Sequence, residues 1–192
     1  MEEFVGIGLK KGEVILCDHN PQWEEAAGET IRQLYEILGD TAIDIQHIGS
    51  TSVKCIKAKP VIDLIVGVKD FEDISRFKSA LETNGFYFIG FEGQERQPVY
   101  QCGEYDHIQK EMVLLTHYIH VVLFGSAGWQ TYINVRDYLN NHPDEAKLYE
   151  QVKLESSRKN GESLRSYHAD KERFVVALIE RANEWKKKAR AL

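Results

Sequence analysis

The chain has 192 residues, 43% hydrophobic and 28% charged, a balance that supports an ordinary buried core without metal or disulfide staples. Lys and Arg number 24 against 30 Asp and Glu, and the net charge of -6 argues against a general nucleic-acid coat. Three widely spaced cysteines (Cys17, Cys55, Cys102) with no CxxC exclude a disulfide framework and a Cys-rich zinc site, and they fit a reducing compartment. No apolar run approaches the roughly 18–20 residues that cross a bilayer, and the acidic start has no apolar leader. The expectation is a cytoplasmic protein with no membrane partner, built as a single domain over 1–192 with a helical segment over about 126–190 packed on it.

In chain order, 13–17 (EVILC) reads as a short strand. Asn20-Pro21 then opens a helix that runs to Leu38 and stops at Gly39. Trp23, Ala27, Ile31, Leu34, Tyr35 and Leu38 form its apolar stripe. A strand over 42–48 ends in the turn Gly49-Ser50-Thr51-Ser52, and 60–68 (PVIDLIVGV) reads as a central strand. Asp70 caps one helix to about Asn84, ended by Gly85, and 86–91 is a strand. The polar stretch 92–110 reads as loop with a short strand inside. Residues 111–124 are strongly β, as one long strand or two joined near Thr116. Ser126 caps a helix to about Asn140, His142-Pro143 breaks it, Asp144 starts another, and a last helix covers about 170–190. The pattern predicts an α+β or α/β fold, a small mixed sheet with flanking helices and a C-terminal helical extension.

The stretch 47–66 carries the chemistry. Glycine after a strand lets the backbone approach a ligand closely, and amides and hydroxyls at such a turn can cradle phosphate oxygens. Lys54, Lys57 and Lys59 add positive charge to the same loop, although loop lysines are commonly just solvated. Asp63 sits inside an apolar run, where a carboxylate needs a partner, a metal or backbone amides. His47, His117 and His120 stand near strand ends as ligands, bases or simply hydrogen-bonded histidines. In β geometry His117 and His120 face opposite sides, which weakens a zinc reading. P-loop, Rossmann and nucleophile-elbow motifs are absent.

H-I-G-S-T-S-V followed by A-K-P-V-I-D-L-I-V resembles the signature of the GrpB-like family, assigned to the polymerase-beta-type nucleotidyltransferase superfamily. Asn20-Pro21-Gln22-Trp23, Thr116-His117 through Val122, Arg136-Asp137-Tyr138-Leu139 with His142-Pro143, and the late Tyr167 and Lys171 resemble further family elements. Two positions depart from the pattern: Lys54-Cys55 stands where Pro-Gly is usual, and Leu115 where an Arg is common.

The resemblance implies a nucleotidyltransferase fold. It places nucleotide phosphates at Gly49, Ser50, Thr51 and Ser52, and phosphate or substrate contacts at His47, Lys59, His117, Arg136, Tyr167 and Lys171. It implies a divalent metal, Mg or Mn, at Asp63 and His120, the two candidate catalytic residues. The superfamily uses two carboxylates on one strand, and the second position is Ile65, which cannot ligate a metal. The expected function is therefore binding of a nucleotide or other phosphorylated small molecule, with nucleic acid not favoured. Two readings follow: a divergent transferase, or a non-catalytic module that has lost the second carboxylate. Phosphoester hydrolysis at an Asp/His site is a weaker third.

Overall fold

The computed structural model describes residues 6–93, 95–158 and 164–190, with 158, 164–172 and 190 by their backbone alone. Strands β1 (Leu9–Lys10), β2 (Asp44–Ile48), β3 (Ile62–Val68), β4 (Phe86–Glu92), β5 (Gln97–Asp106) and β6 (Glu111–Leu123) form one mixed sheet. Its order is β2-β3-β6-β5-β4, with β1 also pairing β6. The β3–β6 pair is parallel and the others are antiparallel. Helices α1 (Gln22–Leu38), α2 (Phe71–Ser75) and α3 (Lys78–Thr83) precede α4 (Ala127–Asn141), α5 (Pro143–Arg158) and α6 (Leu164–Arg190).

Alternation along β3 separates the two sides of the sheet. Ile62, Leu64, Val66 and Val68 point to the main core with Trp23, Leu34 and Leu38 of α1, Ile74 of α2 and Leu81 of α3. On the other side Ile65 packs with Ile48, Val122 and Trp129 of α4. Gly67 shares that side because a side chain there would meet the Trp129 ring at 2.8 Å. A second cluster joins Val53 and Ile56 to Tyr138, Leu139, Ala146, Leu178 and Ala182, tying the loop after the Gly-Ser turn to the C-terminal helices.

Several expectations hold. Helix α1 ends at Leu38 with Gly39 at φ 53, and Asn20 Oδ1 accepts the Gln22 amide at its start. Residues 111–123 are one strand, and Ser126 Oγ caps α4 by accepting the Trp129 amide.

Others are corrected. Residues 13–17 form no strand; only Cys17 bridges to Ala58, because this segment meets a loop and no sheet edge. The helix from Asp70 is two short helices that break at Phe77, although Asp70 does cap the first by accepting the Glu72 amide. The stretch read as loop holds a ten-residue strand, β5. Its polar composition fits a far half of the β5–β6 hairpin that is only half-buried. Its Gly103 sits at a pairing irregularity where a Cβ would lie 1.9 Å from the Leu114 carbonyl oxygen. Pro143 begins α5, where Asp144 was expected to.

Candidate functional site

The β2–β3 hairpin positions the centre. Ile48 pairs with Asp63 across the strands, so both side chains share the α4 side. The chain leaves β2 through Gly49 at φ 71 and ψ -171, a region open essentially to glycine, and enters a single 3-10 turn over Ser50–Ser52. A Cβ on Gly49 would lie 2.3 Å from Asp63 Oδ2 and 2.8 Å from Asp63 Cβ. The turn backbone is thus pressed directly on the carboxylate. Ser52 Oγ donates to the Gly49 carbonyl at 2.7 Å, and Asn140 Nδ2 of α4 donates to the Ser52 carbonyl at 3.0 Å.

Two clefts open on either side of this contact and share Gly49, Asp63 and Tyr149 as walls. The first, about 610 Å³, also takes Ser50, Lys59, Tyr118 and Lys153. Four lysines (Lys10, Lys11, Lys59, Lys153) line it against three carboxylates (Glu13, Asp63, Glu111), a net positive wall in an acidic protein. Lys11 pairs with Glu111, and Lys59 and Lys153 line the part of the cleft that Gly49, Ser50 and Asp63 also line. The second cleft, about 500 Å³, is more apolar, with Ile48, Val135, Leu139 and Tyr132 beside His120 and Arg136.

Sequence reasoning missed Lys153. It is 3% exposed on α5, donates to the Lys57 carbonyl at 2.6 Å, and stands over the Tyr149 ring at 4.6 Å. The neighbouring buried Glu150 accepts the Lys57 amide and the Lys147 ammonium. Ala146, Tyr149, Glu150 and Lys153 recur at helical spacing, but the two charges hide what is a buried face.

The predicted site residues divide between the two sides of the sheet. Gly49, Ser50, Lys59 and Asp63 come together. His47 and His117 do not join them: they register with Leu64 and Ile62 and face α1. His47 Nε2 meets the hydroxyl of fully buried Thr51 at 2.9 Å, so Thr51 braces the turn from behind and its side chain does not reach a ligand. His117 is bonded to Thr30 (3.1 Å) and Thr116 (2.9 Å). Burial pushes His47 and His117 down to about 4, so both imidazoles are neutral at pH 7.

Arg136 reaches the second cleft with its guanidinium engaged. It bonds Gln46 Oε1 at 2.8 Å, the His47 carbonyl at 3.2 Å and Asp137 Oδ1 at 2.8 Å. It therefore pins α4 to β2 and is not a freely placed phosphate clamp. The side chains of Tyr167 and Lys171 lie outside the described residues.

The metal expectation meets a donor set that does not fit it. Ile65, at the second carboxylate position, is fully buried among apolar side chains. His120 is diagonal to Asp63 on the next strand, and its Nδ1 turns toward Glu92 Oε2 at 3.6 Å. Among the described residues no group of three His, Cys, Asp or Glu is placed to hold an ion. A two-ion centre needs several oxygen ligands, and the chain's own groups do not assemble one.

Around Asp63 the titratable groups are shifted by burial. His120 is held down at about 4, and Tyr132 is pushed up to about 12 by burial and then by the Glu92 and Asp63 charges. Tyr132 and His120 rings lie 5.5 Å apart, and the Tyr118 ring stacks near His120 at 6.0 Å. Glu92 was missed because it closes β4 just before the polar stretch, and its reach to His120 crosses β5.

A mixed sheet with a Gly-Ser turn set against a strand aspartate defines a protein of the nucleotidyltransferase fold. A Cid1 poly(U) polymerase bound to MgATP shares that fold at a TM-score of 0.53 and 17% identity, over 76% of this chain and 46% of that one. The chain itself belongs to the GrpB family, whose model (GrpB protein) matches residues 13–181. It is 34% identical to the glutamate-rich protein GrpB of Alkalihalophilus pseudofirmus over 90% of this chain and 98% of that one. A crystal structure of conserved protein GrpB from Enterococcus faecalis superposes at a TM-score of 0.78 with 26% identity, covering 90% of this chain and 99% of that one. A dephospho-CoA kinase of Mycobacterium tuberculosis is 25% identical over 88% of this chain and 46% of its own length. Among the described residues no helix is long and apolar enough to cross a membrane.

Proposed function

We propose that this chain binds a nucleotide or another phosphorylated small molecule in the first cleft and does not transfer the nucleotidyl group. The observation that carries the reading is the Gly49-Ser50 turn pressed on Asp63 in a cleft that Lys59 and Lys153 also line. Turn amides and lysines suit phosphate oxygens. Buried Ile65 supports the non-catalytic half, since it removes the carboxylate a second ion needs. A single Mg or Mn ion would have to arrive with the ligand's own phosphate oxygens, with Asp63 as the protein carboxylate. The match to part of a dephospho-CoA kinase puts coenzyme A precursors beside nucleotides among the ligands to try. The proposed setting is the cytoplasm, with no membrane partner and with nucleic acid not favoured.

The test is pyrophosphate release. Purified protein is incubated with each NTP, Mg²⁺ or Mn²⁺, and a mixed pool of small-molecule acceptors, with Asp63→Asn alongside. No release from either protein, together with saturable NTP binding, is the expected result. Metal-dependent release that disappears in Asp63→Asn would establish the transferase reading in its place.

A further inference from the structure

His120 has one buried nitrogen with nothing bonded to it. Its Nδ1 makes no hydrogen bond, and Glu92 Oε2 stands 3.6 Å from it. The His120 side chain is 14% exposed and that of Glu92 is 54% exposed, so Glu92 is the one free to adjust. The imidazole lies against the Tyr118 and Tyr132 rings, with centroids 6.0 and 5.5 Å away. Burial keeps the ring neutral at pH 7.

A neutral imidazole has one N–H and one lone pair, and the group facing one nitrogen selects which is which. A lone pair on Nδ1 would face a carboxylate oxygen, acceptor against acceptor, where the dielectric is low. A proton on Nδ1 faces an acceptor that a small rotation of Glu92 brings to bonding length. With Nδ1 committed to Glu92, Nε2 is the nitrogen left for the cleft that His120 lines.

We propose that Glu92 is a positioning residue that fixes His120 as the Nδ1–H tautomer, so that Nε2 stands at the wall of the second cleft as a hydrogen-bond acceptor and selects ligands whose non-phosphate end carries an O–H or N–H donor. This rests on the reading of the clefts as one binding site. The two clefts meet at Gly49, Asp63 and Tyr149, so a ligand with its phosphates by Ser50 and Lys59 extends its other end past Asp63. There it meets apolar Ile48, Val135 and Leu139 with His120 as the acceptor among them. The ligand class is a phosphorylated molecule with a largely apolar or aromatic body bearing at least one such donor.

Two measurements on the full chain test this. Long-range proton–nitrogen NMR of the ligand-free protein, with His120 assigned through His120→Gln, reads the tautomer without any ligand. The expected result is Nδ1–H in the wild type and a shift toward Nε2–H in Glu92→Ala. An Nε2–H wild type, or a tautomer unmoved in Glu92→Ala, overturns the proposal. Binding of tripolyphosphate and of ATP is then compared in wild type and His120→Phe. Loss of one hydrogen bond predicts roughly tenfold weaker ATP binding with tripolyphosphate unchanged. Equal ATP affinity in the two proteins overturns the proposal. Failure of tripolyphosphate to bind the wild type marks failure of the cleft reading instead, and the NMR result decides the tautomer independently.

Discussion

Replacing Gly49 by Ala isolates the close approach on which the site is built. Two costs act together. The backbone at φ 71 and ψ -171 is open essentially to glycine, and holding alanine there costs about 1–3 kcal/mol. The new methyl would also stand 2.3 Å from Asp63 Oδ2 and 2.8 Å from Asp63 Cβ. The oxygen can swing away, but Cβ moves only with the strand, and overpacking of this kind costs about 1–3 kcal/mol. A combined loss of about 4 kcal/mol lowers the melting temperature of a domain this size by about 8–16 °C. Gly85→Ala is the control: its φ is 84, yet nothing lies within 4 Å of the added methyl. Only the backbone cost of about 1–2 kcal/mol applies there, a fall of about 2–8 °C. Differential scanning fluorimetry and urea unfolding of the two variants measure the difference. If Gly49→Ala melts no lower than Gly85→Ala, the turn is not pressed on Asp63 and the geometry of the site is wrong.

The three buried histidines give an acid-sensitivity prediction. His47, His117 and His120 are held at about 4 in the fold, below the ordinary 6.5. The unfolded chain therefore takes up protons that the fold excludes, so stability is full above pH 6.5 and falls as the pH drops toward 4. For His117 (8% exposed) the loss at pH 5 is about 2 kcal/mol, and urea midpoints should fall from pH 7 to 5, less steeply in His117→Gln; a flat profile contradicts this. Ile65→Asp puts a carboxylate into the Ile48, Val122 and Trp129 cluster at a cost of several kcal/mol. We expect a protein that is largely unfolded by circular dichroism; a folded variant that gains metal-dependent pyrophosphate release would falsify the non-fit of a second ion. Arg136→Met removes the charged bonds to Gln46, His47 and Asp137 and should cost about 3 kcal/mol in urea unfolding. Unchanged stability with lost tripolyphosphate binding would instead make Arg136 a ligand clamp.

The sequence made local features legible and left cross-strand ones hidden. Helix α1 was readable because Asn20-Pro21 opens it, Gly39 ends it and its stripe is unbroken. Asp63 was readable as an anomaly, a charge within a β-branched run. The opposite facing of His117 and His120 followed from their odd spacing. The placement of His47 behind the turn did not, because it depends on which strand pairs with β3 and in what register. Lys153 was hidden for a different reason: burial of a lysine against a carbonyl and a Tyr ring leaves no mark in a charged helix. Strand β5 looked like loop because its outer half is only half-buried and carries polar residues, and no local capping signal marked the break at Phe77.

The measurement that bears most directly on the binding claim is a thermal-shift panel of NTPs, coenzyme A precursors and sugar phosphates, each with and without Mg²⁺ or Mn²⁺, on the wild type and Lys59→Glu. At about a hundred times its Kd a ligand stabilises by roughly 2.7 kcal/mol, on the order of 5–10 °C here. Such a shift is expected for at least one phosphorylated ligand in the wild type, and its loss in Lys59→Glu. No shift with any phosphorylated compound, or a shift equal in both proteins, contradicts a phosphate site at the Gly49-Ser50 turn.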